Sequence, residues 1–216
     1  MDTLEQELYG SQSSENEEIK LACSFVTAPI HTKDGREWIE LTCREPSVGE
    51  CLLATRTIGK RPTLETVYAS EIALLCRVTG WPQTAVDQIP TRTLDAAVAY
   101  ISHFEDDARR KPDEEPDCQD TFHLALTPPI TAVNREWQDM DLREPTVAER
   151  RRFKSQEQRG SMADFLEAEI NLLTDVSGWQ RAAVLKMPIS QFAKASDYLT
   201  GFFIAGQKTG NVSLPI

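Results

Sequence analysis

Three histidines (His31, His103, His123), five cysteines (Cys23, Cys43, Cys51, Cys76, Cys118) and 34 Asp+Glu are the groups from which an active site would be built in these 216 residues. A histidine supplies a general base near neutral pH, a thiolate supplies a nucleophile or soft metal ligand, and paired carboxylates divide acid and base roles. All of these need partners at fixed spacing. The chain has no CxxC, no Gly-rich phosphate loop and no Gly-x-Ser-x-Gly elbow. The expectation is a reduced protein with free thiols and no cofactor or metal.

An internal repeat sharpens this test. Trp38 to Glu50 (WIELTCREPSVGE) aligns with Trp137 to Glu149 (WQDMDLREPTVAE) at an offset of 99. Thr27-Ala28-Pro29-Ile30 aligns with Thr127-Pro128-Pro129-Ile130 at offset 100, and Glu71 to Trp81 with Glu169 to Trp179 at offset 98. All four tryptophans pair as repeat equivalents. An active site kept by both copies would recur at equivalent positions. It does not: His31 faces Thr131, His103 faces Gly201, His123 faces Cys23, and Cys43, Cys51 and Cys76 face Leu142, Arg150 and Thr174. A non-enzymatic protein is therefore expected. The rival is an enzyme whose site lies between the copies and uses His31, His103 or His123.

The elements that carry these residues follow from patterning. Lys20–Ala28 with Arg36–Cys43, and Phe122–Leu126 with Glu136–Leu142, read as β-hairpins. Ser47-x-x-Glu50 and Thr146-x-x-Glu149 are helix-starting capping boxes. Helices are predicted over Leu64–Thr79 and Met162–Ser177, each followed by a glycine suited to a left-handed C-terminal position. Short segments Gln83–Ile89 and Arg181–Met187 stop at prolines, and last helices span Thr93–Asp107 and Gln191–Phe203. The fold class is α+β: a tandem repeat of a small unit, each a β-hairpin followed by three or four helices.

The formal charge of −11 is unevenly placed. Residues 1–18 carry −6 and residues 105–120 carry −5, while 19–104 and 121–216 are each neutral. The layout this implies is an acidic disordered tail (1–18), repeat 1 (19–106), an acidic linker (107–120) that self-repulsion keeps extended, repeat 2 (121–205) and a C-terminal tail (206–216). Neutral bodies lack the basic excess that phosphate neutralisation needs, so no nucleic acid is expected as partner. The acidic N-terminus lacks the apolar run of a secretory signal, and no segment approaches the roughly 18 apolar residues that span a bilayer. No membrane role is expected.

Arg44-Glu45-Pro46 and Arg143-Glu144-Pro145 form the most specific shared string. One reading is a strand-to-helix junction with a local ion pair. The other is a partner-contact patch of Trp38, Arg44, Glu45, Trp137, Arg143 and Glu144, since Trp and Arg are enriched at binding hot spots. Trp81 and Trp179 are expected to cap the cores. Glu71 and Glu169 are expected on the solvent side of their helices, and Arg150-Arg151-Arg152 with Lys154 on a solvated face.

Leu142 to Glu149 (LREPTVAE), preceded by a Pro-Ile hairpin and followed by a Leu-Leu, Gly-Trp helix and a Pro-bounded segment, resembles the tail assembly chaperones of Mu-like and related contractile-tailed phages. The second copy, Phe122 to Phe203, carries the better match; the first, Lys20 to Phe104, has Cys43 for the Leu and Ser47 for the Thr. Two tandem copies depart from that family's usual single domain. The resemblance implies a chaperone that binds and solubilises the helical tape measure protein during tail morphogenesis. It also implies help in recruiting tail tube protein, action in the host bacterial cytoplasm, and absence from the mature virion. In the family a longer form often arises by translational frameshifting. Self-association of this chain into a homo-oligomer is left open. The alternative is a structural or adaptor component of a phage or prophage tail particle.

Overall fold

The computed structural model describes residues 22–208, and for residues 205–208 the backbone only; the acidic tail 1–18 lies outside them. The architecture is α+β, two antiparallel hairpins each followed by four helices. In the first repeat β1 (Ala22–His31) pairs with β2 (Glu37–Arg44), followed by α1 (Val48–Thr55), α2 (Leu64–Thr79), α3 (Gln83–Val86) and α4 (Thr91–Ala108). The second has β3 (Thr121–Ala132) with β4 (Arg135–Arg143), then α5 (Val147–Glu157), α6 (Met162–Ser177), α7 (Arg181–Val184) and α8 (Ile189–Lys208).

The strands outrun their expected ends. Proline has no N–H to give the ladder, so Pro29 and Pro128-Pro129 break pairing. They do not end the strand. The register shifts between Val26 and Ile30 and between Ala125 and Ile130, and pairing then resumes to the turn. At the first irregularity the Thr27 hydroxyl donates to the Ile39 carbonyl at 3.2 Å. In the second hairpin the chain reverses through Val133 and Asn134, both at positive φ (51° and 55°), as a type I′ two-residue hairpin turn requires.

Both predicted capping boxes form: the hydroxyls of Ser47 and Thr146 accept from the amides of Glu50 and Glu149, whose carboxylates accept from the cap amides. Gly80 (φ 73°) and Gly178 (φ 69°) stand just past α2 and α6 in the left-handed conformation.

Packing divides the chain into two units that do not follow the repeat. Described residues within Met1–Glu45 and Leu75–Ser102 form unit 1, and those within Pro46–Leu74 and His103–Ile216 form unit 2. Unit 1 buries Leu41 and Cys43 of β2, Leu75 and Val78 of α2, Trp81, and Leu94, Ala97 and Ile101 of α4. Unit 2 buries Leu124, Met140 and Leu142 of its hairpin against Ile170 and Leu173 of α6 and Phe192 and Leu199 of α8. Its core also takes in Val48, Cys51 and Leu52 of α1, a first-repeat helix. Apolar burial at about 25 cal/mol per Å² decides where this helix packs, and repeat boundaries do not.

Linker residues 109–120 are tied down instead of extended. The Tyr198 hydroxyl donates to the Gln119 carbonyl at 2.8 Å, the Arg110 amide donates to the Asp197 carboxylate, and Arg110 Nη1 donates to the Glu114 carbonyl at 2.7 Å. Self-repulsion among the acids is outweighed by these bonds and by Arg109, whose guanidinium pairs with Glu169 of α6 and Asp197 of α8.

Candidate functional site

The tryptophans assemble one pair per unit. Trp38 meets Trp81 with ring centroids 5.4 Å apart, and Trp137 meets Trp179 at 5.2 Å, each tilted by 52°. Trp81 and Trp179 are buried, as core caps should be. Trp38, half-buried, donates Nε1–H to the Thr32 hydroxyl at 3.2 Å. Trp137 is buried and donates to the Ala132 carbonyl at 3.1 Å, with the Arg135 guanidinium 4.4 Å over its ring.

Arg143 and Arg44 fasten the strand-to-helix junctions. Each donates Nη1–H to the carbonyl of the following residue, Glu144 or Glu45, at 3.0 Å. Arg143 also forks onto Glu149 at 2.8 and 3.0 Å, the same carboxylate that caps α5. The Arg143 guanidinium, with the capping hydrogen bonds from Thr146, holds the Glu149 carboxyl down to about 2. Of the six candidate contact residues, Arg44, Arg143 and Glu144 are exposed, Trp38 and Glu45 are half-buried and Trp137 is buried.

The depressed carboxyl sets a pH dependence. A lowered folded pKa contributes stability above the unfolded value, lost as pH falls toward the folded one. Glu149→Gln should therefore cost about 1–2 kcal/mol at pH 7, the scale of a charged hydrogen bond plus a cap. Wild type and variant should converge near pH 2. Urea unfolding across that range checks it, and equal stabilities at pH 7 would refute it.

Glu169 corrects the solvent-side expectation: it is 3% exposed. Arg109 donates to both its oxygens at 3.0 and 3.1 Å and also reaches Glu105 at 2.9 Å and Asp197 at 3.4 Å. Burial pushes the Glu169 carboxyl up, and Arg109 offsets only part of that. The signal that sequence does not show is the reach of a cation within the linker, Arg109, forward to α6. Glu71, its repeat equivalent, is half-buried.

The basic run of α5 is partly engaged. Arg150 donates to the Phe203 carbonyl at 3.2 Å with its guanidinium 5.1 Å over the Phe203 ring, Arg152 pairs with Asp175 at 3.1 Å and Lys154 with Glu157 at 2.7 Å.

The histidines meet carboxylates of their own hairpin or helix. His31 lies 3.8 Å from Glu37, His103 3.1 Å from Asp107, and His123 2.8 Å from Asp141, all on exposed side chains. The hydrogen bond to Asp141 pushes the His123 pKa up. Burial pushes the Cys43 thiol up to about 12, which keeps it protonated and unreactive. Among the described residues no group of three or more His, Cys, Asp or Glu could hold a metal ion, and no helix is long and apolar enough to cross a membrane.

What unit 2 presents outward is apolar helix surface. Leu64 (92% exposed), Val67 and Tyr68 of α2 stand three and four residues apart, on one helical face. Met162 and Phe165 of α6, the repeat equivalents of Leu64 and Val67, are exposed as well. A helix partner with its own apolar stripe fits such spacing. Sequence periodicity placed these residues on helices but could not say which side stayed uncovered.

Residues 121–204 match the family model described as "Phage tail assembly chaperone proteins, E, or 41 or 14". The match starts with β3 and ends in α8, so it takes in the second repeat and leaves the first unmatched. No curated protein and no solved structure matches the chain. Through its second repeat, one copy and a little under two-fifths of its length, the chain is similar to the phage tail assembly chaperones.

Proposed function

We propose that the protein is a non-enzymatic tail assembly chaperone that binds and solubilises the tape measure protein in the host cytoplasm, assists tail tube assembly, and is absent from the finished particle. The observation that carries this reading is the family match over residues 121–204. The exposed apolar positions of α2 and α6 supply the physical means, since a tape measure segment is a long amphipathic helix that aggregates through its own stripe. The exposed Arg44 and half-buried Glu45 of unit 1, and the exposed Arg143 and Glu144 of unit 2, would each offer polar contacts within their own unit, where charge sets orientation more than affinity. Trp38 and Trp137 would act from beneath, each packed on the buried tryptophan of its own unit.

The test is co-expression of the full chain with the tape measure protein encoded in the same tail gene cluster. A soluble complex that survives size exclusion is expected. Leu64→Glu/Val67→Glu should weaken it by about tenfold or more, the scale of two lost apolar anchors. No complex and unchanged tape measure solubility would overturn the reading. Mass spectrometry of purified particles separates it from a structural role, because a retained subunit would be present there.

A further inference from the structure

Unit 2 contains a joint that the repeat leaves half-made elsewhere. In it the Pro46–Gly49 junction lies against the segment between α7 and α8. Val48 N–H donates to the Met187 carbonyl at 3.0 Å, Gly49 N–H to the Leu185 carbonyl at 2.8 Å, and Ile189 N–H to the Pro46 carbonyl at 2.9 Å. The first amides of a helix have no partner within it, so the Met187 and Leu185 carbonyls satisfy two donors that α1 otherwise leaves open. Val48 and Met187 are completely buried there. The backbones come close enough that a Cβ on Gly49 would stand 3.0 Å from the Leu185 oxygen.

Duplication supplies a second copy of each half. The donor half recurs as Pro145-Thr146-Val147-Ala148, and the acceptor half as Asp87-Gln88-Ile89-Pro90-Thr91. Both stand open. Val147 is 78% exposed where its equivalent Val48 is fully buried. Asp87 and Thr91 are exposed where Ile189 is buried and Leu185 half-buried. Among the described residues the amides of Val147, Ala148 and Thr91 and the carbonyls of Asp87 and Ile89 have no hydrogen-bond partner.

The differences between the two joints are matched in charge. Where the filled joint has Cys51 and Leu52 on its donor helix, the open one has Arg150 and Arg151. Where the filled acceptor has Leu185 and Ala193, the open one has Asp87 and Asp95, both exposed, beside a single cation, Arg92. Opposite charges on the two halves favour their meeting and steer its register. Ala148 in place of Gly49 requires the backbones to part by a few tenths of an ångström, which two separate chains are free to do.

We propose that the chain associates head to tail with a second copy of itself, the Pro145–Ala148 junction of one copy docking on the Asp87–Thr91 segment of the next. The two surfaces differ, so the contact is heterologous and propagates into a ring or an open filament. The inference rests on the repeat and the filled joint, and is independent of what the protein chaperones.

Sedimentation velocity of the full chain from about 1 µM to about 100 µM tests it. Wild type should grow beyond monomer with concentration. Val147→Asp removes the donor and Asp87→Lys/Thr91→Lys removes the acceptor, all at exposed positions, so each variant should remain monomeric with an unchanged melting curve. An equal mixture of the two variants retains one intact donor and one intact acceptor, and should form a dimer that grows no further. A wild-type monomer at the highest concentration overturns the proposal. So do variants that assemble like wild type, or a mixture that stays monomeric.

Discussion

Arg109→Ala should destabilise unit 2 by about 3–5 kcal/mol at pH 7, the cost of leaving a buried charge without its partner. Glu169 is the charge in question, almost wholly buried in α6 and gripped at both oxygens by the Arg109 fork at 3.0 and 3.1 Å. Removing the guanidinium also leaves Glu105 and Asp197 close to Glu169 with only repulsion between them, since both already push its carboxyl up. The pH dependence follows from the direction of that shift. A carboxyl whose folded pKa is raised stabilises the fold below its unfolded value, and that contribution is lost as pH rises through the folded one. Without Arg109 the penalty at neutral pH grows, so the variant's deficit should be large at pH 7 and smaller at pH 5. Arg109→Met/Glu169→Leu removes both charges together and should recover most of the loss, because an apolar pair of similar volume has no desolvation to offset. Urea unfolding of the three proteins at both pH values decides the matter. A loss below about 1 kcal/mol would show that the network is a solvated surface pair worth little, and an equal loss at the two pH values would show that the buried Glu169 charge does not carry the effect.

That network marks where sequence reasoning stopped. Local signals were legible: α2 and α6 span the residues their periodicity predicted, both capping boxes formed, and Gly80 and Gly178 took left-handed conformations. Each depends on neighbours within a few residues, where chemistry and spacing decide the outcome. Periodicity puts Glu169 on the solvent side of α6, and the structure buries it because its cation stands 60 residues away, in a segment whose net charge points toward an extended linker. The strands were drawn short because proline removes one donor without ending the ladder around it. For the candidate contact residues, the shared Arg-Glu-Pro string is legible in the sequence, whereas the depth of Trp137 and the fork from Arg143 to Glu149 are not. Depth is a tertiary quantity. Repeat equivalence even misleads about it, because equal residues in the two copies meet different surroundings.

Val48 and Val147 turn that last point into a measurement. They are the same residue type at equivalent positions, each the first residue of a helix behind a capping box. Val48→Asp should cost unit 2 about 3 kcal/mol or more, since it forfeits the roughly 1.5–3 kcal/mol of a buried valine and places a carboxylate among Met187, Ile189 and Leu52. Val147→Asp in dilute protein should stay within about 0.5 kcal/mol of wild type, as exposed substitutions do. A negative charge in the first turn also complements the helix dipole, so the sign of that small effect should be neutral to favourable. Chemical denaturation monitored by tryptophan fluorescence, to which Trp137 and Trp179 of unit 2 contribute, compares the two. Matching losses would mean that α1 does not belong to the core of unit 2. A large loss for Val48 alone would show that unit 2 is completed by a helix from the first repeat, so that residues 121–204 cut from the chain should be less stable than the same residues within it.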